Sequence, residues 1–363
     1  MPPVNVLRRL SSALVLALFA VFLVPFGVAP AVAASASNPS PVYRFYKTDG
    51  SHFFTNSEVE KANVQATASA SYRYEGVAFY SYPTEQFGTS PVYRFYNFKQ
   101  GVHFYTINPN EYQTVLTTAS STFRYEGVAY WANSLPVTDT TPVYRFYKFR
   151  QGVHFYTSNA GEAAALRANA SSTYRDEGIA YNLPTKLTFS GTGNGDTGRF
   201  VLPSGLNVFK TTHASTIFAV LYIPNEPLGD RQVANDFVSN GSTSTAWGLE
   251  EGEYAIDVQA GGSWAITIEQ PKVSTGIAPS FSGFGETATS LFTLTGRLKT
   301  LSYSRAATST FMYIYLFDVA GNMVELVVVE EGGPTAGGTT FLPSAGTYLL
   351  NVITDGEWAM SVQ

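Results

Sequence analysis

Pro41-Val-Tyr-Arg-Phe-Tyr46 returns as Pro91-Val-Tyr-Arg-Phe-Tyr96 and again as Pro142-Val-Tyr-Arg-Phe-Tyr147, and this hexapeptide decides how the chain is read. Each copy continues to His-Phe-[Phe/Tyr]-Thr at His52, His103 and His154, then to Glu-Gly-[Val/Ile]-Ala at Glu75, Glu126 and Glu177. The histidines and the glutamates recur every 51 residues, whereas Arg44 and Arg94 are 50 apart. The first copy therefore lacks one residue in its turn, Lys47-Thr-Asp-Gly50 against Asn97-Phe-Lys-Gln-Gly101. A turn absorbs such a deletion, because alternating apolar residues hold the register of the strands on either side. Self-similarity at a fixed period marks a repeat architecture.

Within one copy the pattern predicts strand, turn, strand, helix, strand. Tyr43 and Phe45 alternate with Val42, Arg44 and Tyr46 across the first strand, and Gly50, Gly101 and Gly152 mark the turn. Ser57-x-x-Glu60, Asn108-x-x-Glu111 and Asn159-x-x-Glu162 each pair an N-cap residue with a Glu three positions on, the spacing of a capping box; Pro109 suits the first helical position. One such unit cannot bury its own face. Three can close on each other with pseudo-threefold symmetry, which also removes free sheet edges.

These motifs resemble the DUF5648 repeat family, whose copies read roughly V-Y-R-x-Y-N, then G-x-H-F-Y-T, then Y-x-E-G-V-A-F. The resemblance covers about 140 of 363 residues. It implies an accessory role beside secreted bacterial hydrolases or on surface proteins, with glycan or cell-wall binding, and it carries over no catalytic residue. Two positions depart between copies: Phe54 stands where the others have Tyr105 and Tyr156, and Asp176 where the others have Tyr74 and Tyr125.

Residues 1–33 read as an export signal. Arg8 and Arg9 precede the apolar run Leu10 to Phe22, and Ala31-Val32-Ala33 offers a small-residue cleavage site. The run is short for a bilayer span, so a mature chain without a membrane span is expected. Zero cysteines exclude disulfides, thiolate metal sites and a Cys nucleophile. The formal charge of −5 is unevenly placed, with 12 basic and 11 acidic residues over 38–184 against 8 and 16 from Thr185 onward. No basic patch argues for nucleic acid.

After Pro184 the helix signals stop, and Gly, Ser and Thr turns separate short β-rich runs. This half repeats less faithfully: Phe189-Ser-Gly191 matches Phe281-Ser-Gly283, Phe200 matches Phe292, Gly252-x-Tyr254 matches Gly346-x-Tyr348, and Trp264 matches Trp358. Evenly spaced strands between turns predict two antiparallel β-sandwiches, over 185–271 and 280–363, joined by a linker near Pro271 to Pro279. They are similar to pre-peptidase C-terminal or jelly-roll accessory modules.

Only the recurring His, Glu and Arg form a polar constellation. Three equally spaced His could converge on a threefold axis as a zinc set, yet a polar residue that the fold needs once per copy also appears three times. Arg44, Glu75, Arg94, Glu126, Arg145 and Glu177 read as structural ion pairs at repeat junctions, and no metal or cofactor is expected. A sugar site wants an aromatic plate beside fixed hydrogen-bonding groups. The first copy supplies Tyr43, Tyr46, His52, Phe54, Arg73 and Tyr74, and the candidates are Tyr43, His52 and Arg73, with Tyr93, His103, Tyr105 and Arg124, and with Tyr144, His154, Tyr156 and Arg175. Enzyme motifs fail: Gly193-Asn-Gly195-Asp-Thr-Gly198 precedes strand-like Arg199-Phe-Val-Leu202 where a nucleotide fold needs a helix. His213 aligns with about Arg305, which fits a surface position.

The sequence thus predicts a mainly β protein, with an N-terminal pseudo-threefold module of three ββαβ repeats over 38–184 (a β-trefoil-like module being the alternative) and two β-sandwiches. The expected function is that of a secreted, non-catalytic protein binding cell-surface glycan or polysaccharide, extracellular or in the cell wall. The rival is a structural or protein-interaction role in the cell envelope.

Overall fold

The computed structural model describes residues 38–224, 231–236, 240–271, 279–332 and 335–363. The expected export signal and the middle of the expected linker lie outside the described residues.

The repeats give three antiparallel three-stranded sheets, each with the hexapeptide strand in the middle. They are β1 (Ser40–Lys47), β2 (His52–Thr55) and β3 (Tyr72–Ser81); β4 (Ser90–Asn97), β5 (Val102–Thr106) and β6 (Phe123–Ala132); β7 (Thr140–Lys148), β8 (Val153–Thr157) and β9 (Tyr174–Pro184). One ten-residue helix follows the second strand of each: α1 (Glu58–Thr67), α2 (Pro109–Thr118) and α3 (Ala160–Asn169). The shorter first turn is where the deletion was expected, so β2 opens at His52 while β5 and β8 open one residue earlier, at Val102 and Val153.

The Glu-Gly step has a backbone cause. Along β3 the register passes from Arg44↔Gly76 to Phe45↔Tyr74, which leaves Glu75 as the extra residue of a bulge, and β6 skips Glu126 in the same way. Gly76, Gly127 and Gly178 have φ of 97°, 107° and 83°, a region that favours glycine. The bulge turns the carboxylate inward and fixes which residue types can stand there.

The helix starts confirm half of the capping box. Ser57, Asn108 and Asn159 accept the amides of Glu60, Glu111 and Glu162. The other half is corrected: the N-cap amides donate to Thr55, Thr106 and Thr157 of the His-Phe-x-Thr motif, each at 3.0 Å. The Glu side chains are thereby released for partners in another repeat.

Val42, Val92 and Val143 share one buried cluster with Phe54, Tyr105, Tyr156, Phe79, Tyr130 and Tyr181, equivalent positions of all three repeats. The rings of Phe54, Tyr105 and Tyr156 meet edge to face, with centroids 6.0, 5.7 and 6.4 Å apart around the three pairs. The Tyr105 hydroxyl donates to the Phe54 carbonyl, and the Tyr156 hydroxyl to the Tyr105 carbonyl, both at 2.7 Å. Burying phenols here requires such partners.

The C-terminal half consists of two β-sandwiches with the same topology. In the first, the sheet β10-β18-β13-β16 comprises Lys186–Thr192, Ser263–Glu269, Gly205–His213 and Gly241–Leu249. It faces β11-β17-β14-β15, which comprises Gly195–Asp196, Gly252–Ala260, Ile217–Tyr222 and Arg231–Asp236, with β12 (Phe200–Leu202) also on β17. The second repeats both orders from β19 (Ser280–Phe284) to β27 (Glu357–Val362). The sequence matches now have causes: Trp264 and Trp358 lie across from Gly191 and Gly283, where a Cβ would strike the indole, and each Nε1 donates to a glycine carbonyl two residues further on, Gly193 and Gly285.

Between the sandwiches Leu206, Val208 and Ala246 pack on Leu291, Phe317 and Leu349, and the backbones of Gly248 and Gly321 approach too closely for any Cβ. No helix among the described residues is long and apolar enough to cross a membrane.

Candidate functional site

The bulged glutamate is the centre of a cluster built three times. Glu75 Oε2 lies 2.9 Å from Arg44 Nε and 3.4 Å from His52 Nε2, and its Oε1 accepts from Arg73 at 2.7 Å. Glu126 meets Arg94, His103 and Arg124 at 3.0, 3.2 and 3.0 Å, and Glu177 meets Arg145, His154 and Arg175 at 2.9, 3.3 and 2.6 Å. The expected ion pairs at repeat junctions are corrected: these contacts lie within a repeat. The junctions are made by the released helix glutamates, Arg44 to Glu162 at 3.6 Å, Arg94 to Glu60 at 2.8 Å and Arg145 to Glu111 at 2.8 Å. Each arginine thus bridges its own bulge and the helix of another repeat.

Burial alone would raise the Glu126 carboxyl, but the contacts from His103 and Arg124, with the Arg94 charge, hold it down at about 2. Burial, and then the Arg145 charge, push His154 down to about 4, and burial followed by Arg44 lowers His52. The His52 and His154 imidazoles are therefore neutral at pH 7, with Nε2 facing a carboxylate. Each His meets its own Glu and an aromatic ring of another repeat, His52 on Phe155, His103 on Phe53 and His154 on Phe104, at 5.2, 4.7 and 4.9 Å. They do not converge on one point, and no group of three or more His, Asp or Glu among the described residues is placed to hold a metal ion.

The tyrosine expectations divide. Tyr105 and Tyr156 are 1% and 2% exposed, so their placement in a ligand site is corrected: both rings are spent on the core. Tyr43 is fully buried, its hydroxyl on Glu58 and its ring 3.8 Å beneath Lys61 Nζ. Tyr93 stacks on Tyr112 at 4.0 Å and Tyr144 lies 4.9 Å under Arg167, so this position serves the helix contact.

What stays accessible is the outer arginine. Arg73, Arg124 and Arg175 have side chains 72%, 68% and 58% exposed, and each guanidinium lies over a tyrosine, Tyr46, Tyr96 and Tyr147, at 5.3, 5.5 and 5.0 Å. Tyr96 and Tyr147 were missed as site residues. Their signal was present, because the last Tyr of the hexapeptide pairs across strands with the Arg before the Glu-Gly step.

Two features fall outside the repeat pattern. Glu251, between β16 and β17, accepts the Tyr74 hydroxyl and the Val77 amide, the latter at 2.9 Å, and so ties the first sandwich to the first repeat. His213 and Arg305 do occupy equivalent positions, opposite Trp264 and Trp358, but the surface reading is corrected: they are 5% and 6% exposed. His213 Nε2 lies 3.2 Å from Asp236, and Arg305 donates to the Ser309 carbonyl. Both close one end of a sandwich.

Comparison with known proteins finds the family model described as "Domain of unknown function (DUF5648)" matching residues 27–133 and 116–192. No curated protein matches in sequence. Among solved structures, the crystal structure of the PBSX exported protein XepA is similar at 10% identity and a TM-score of 0.18, over 63% of this chain and 95% of that one. A structure described as the triple jelly roll fold and turret assembly in an archaeal virus is similar at 8% identity and a TM-score of 0.17, over 79% and 97%.

Proposed function

From a repeat region that matches a family of unknown function, we propose that this chain is an exported, non-catalytic binding protein that holds a cell-surface or cell-wall polysaccharide. On this reading its first three repeats close as one pseudo-threefold ββαβ module, in preference to a β-trefoil, followed by two sandwich modules. The Arg94 to Glu60, Arg145 to Glu111 and Arg44 to Glu162 contacts support that closure, since each joins a different pair of repeats.

The observation that carries the binding reading is the outward-facing arginine on a tyrosine, present three times. Each guanidinium has tyrosine beneath it and glutamate beside it, so its remaining donors point outward from a fixed plane. Fixed donors around an aromatic edge suit the hydroxyls and C–H faces of a sugar. One such place binds weakly, while a polymer that spans two or three gains ~10²–10⁴ from effective concentration.

The test is calorimetry of the purified chain against oligosaccharides of increasing length from cell-wall and plant polysaccharides. Affinity should rise steeply with length and fall in Arg124→Ala, whose exposed side chain can be removed without opening the core. Absence of heat with every glycan at millimolar ligand overturns the reading. The protein-interaction alternative is favoured by one observation, the seat that the first repeat offers to Glu251.

A further inference from the structure

The surroundings of the three Glu-Gly bulges differ. In the first, Glu251 covers Gly76, with one oxygen on the Val77 amide, the other on the Tyr74 hydroxyl, and Lys61 Nζ 3.9 Å away. In the third, Asp176 replaces the tyrosine; its Oδ1 accepts the Gly178 amide at 2.9 Å and its Oδ2 accepts from Arg167 at 2.6 Å. A carboxylate thus sits at the bulge in both.

The second repeat keeps the donors of the first, Tyr125 and the Gly127-Val128 backbone, yet among the described residues no acidic side chain outside the bulge contacts them. A Cβ built on Gly127 meets nothing within 4 Å, where the same point on Gly76 meets Glu251 Oε2 at 3.0 Å. The surface is accessible, with Tyr125 36% and Val128 43% exposed. Tyr112, which stands in the place of Lys61, packs 5.2 Å from Tyr125 and shares a hydrogen bond with its hydroxyl, and lies 4.0 Å from Tyr93, so the seat is a shallow aromatic one whose phenol pair and backbone amides are neutral donors.

We propose that this surface docks an acidic turn of a second polypeptide, whose Glu or Asp takes the Tyr125 hydroxyl and the Val128 amide as Glu251 takes Tyr74 and Val77. The occupant of the first repeat argues for a polypeptide, because that carboxylate is presented by a two-residue turn, Glu250-Glu251, between β16 and β17. A turn of that shape also brings backbone and apolar contact to the exposed Val128. A carboxylate bound by a phenol and an amide is favoured over its amide isostere, since hydrogen bonds to an ionised group are roughly twice as strong. The seat is separate from the Arg124 and Tyr96 surface, so this proposal stands or falls apart from glycan binding.

The test uses the full chain labelled with ¹⁵N and, as probe, a cyclised peptide of residues 247–254, which contains the acidic turn. The expected result is saturable shifts of the Gly127 and Val128 amides, with affinity lower by about tenfold for the peptide carrying Glu251→Gln and for the chain carrying Tyr125→Phe. An unchanged melting temperature of Tyr125→Phe shows that the loss is one of docking. No shift of these amides at millimolar peptide, or equal binding of the Gln peptide, overturns the proposal. Saturation of the same amides by an oligouronate but not by the peptide also overturns it and assigns the seat to an acidic glycan.

Discussion

Arg94 stands between two carboxylates of different repeats, 2.8 Å from Glu60 at the start of α1 and 3.0 Å from Glu126 in its own bulge. The two glutamates are unequal, because Glu126 also holds His103 and Arg124 while Glu60 holds only the junction. Glu60→Gln should cost ~0.5–1.5 kcal/mol, the range of an ordinary hydrogen bond. Glu126→Gln should cost ~2–4 kcal/mol, a buried-pair loss reduced for partial exposure. Calorimetric melting of the two variants checks the order; equal losses would mean that the bulge carboxylate is no hub.

The same cluster sets an acid limit. The unfolded carboxyl and imidazole titrate near 4.5 and 6.5, while Glu126 is held at about 2 and His154 at about 4. Both folded values are depressed, so the folded state binds fewer protons, and the stability it gains is present above the unfolded values and lost as pH falls. Melting temperature should therefore decline from about pH 6.5 down to 4 as His154 charges, then from about 4.5 down to 2 as Glu126 is protonated. A pH series of melting curves tests this, and a flat profile between 6.5 and 4 would remove His154 from the account.

The joint between the sandwiches should respond in the opposite sense. Burial pushes Glu286 up to about 7, with Thr245 and Gln232 hydrogen-bonding it and the Asp236 charge adding to the rise. A raised value means that the stability is complete below about 4.5 and lost as pH rises through 7. Glu286→Gln keeps the shape and cannot ionise, so it should raise the melting temperature at pH 8 and leave it nearly unchanged at pH 5. A loss at both pH values would show that an ionised carboxylate is needed there.

The core of the repeats has one hydrogen bond fewer than its pattern allows. Tyr105 and Tyr156 hydroxyls each serve another repeat's strand, and Phe54 occupies the third position without a hydroxyl. Phe54→Tyr should add a bond to the Tyr156 backbone and stabilise by ~1 kcal/mol, while Tyr105→Phe should lose ~1–3 kcal/mol by leaving the Phe54 carbonyl and amide unpaired. Urea melts of both variants decide it: destabilisation by Phe54→Tyr would mean that the third position has no room.

The repeat, its strands, turns and N-caps were legible because they are local, a period of alternating residues and a cap set by its own neighbours. The matching Trp and Gly pairs of the sandwiches were visible too, although the reason for the glycine, an indole lying across it, was not. The roles of single polar residues were read less well. Glu60 was assigned to its own N-cap, because the sequence cannot show that Thr55 already takes that amide. Tyr105 was assigned to a ligand, because an aromatic residue on a core face and one on an open face obey the same alternation.

By itself the sequence determined which residues are equivalent, where strands and helices lie, that the chain is mainly β, and that no cysteine chemistry is available. Tertiary structure alone decided which equivalents remain equal. Glu251 reaches the first bulge from 174 residues away in sequence, Asp176 closes the third from within, and among the described residues no carboxylate covers the second, although all three are written with the same Glu-Gly step. Burial, charge pairing and access depend on which chain segment arrives at a surface, and that is a property of the tertiary fold rather than of the spacing along the chain.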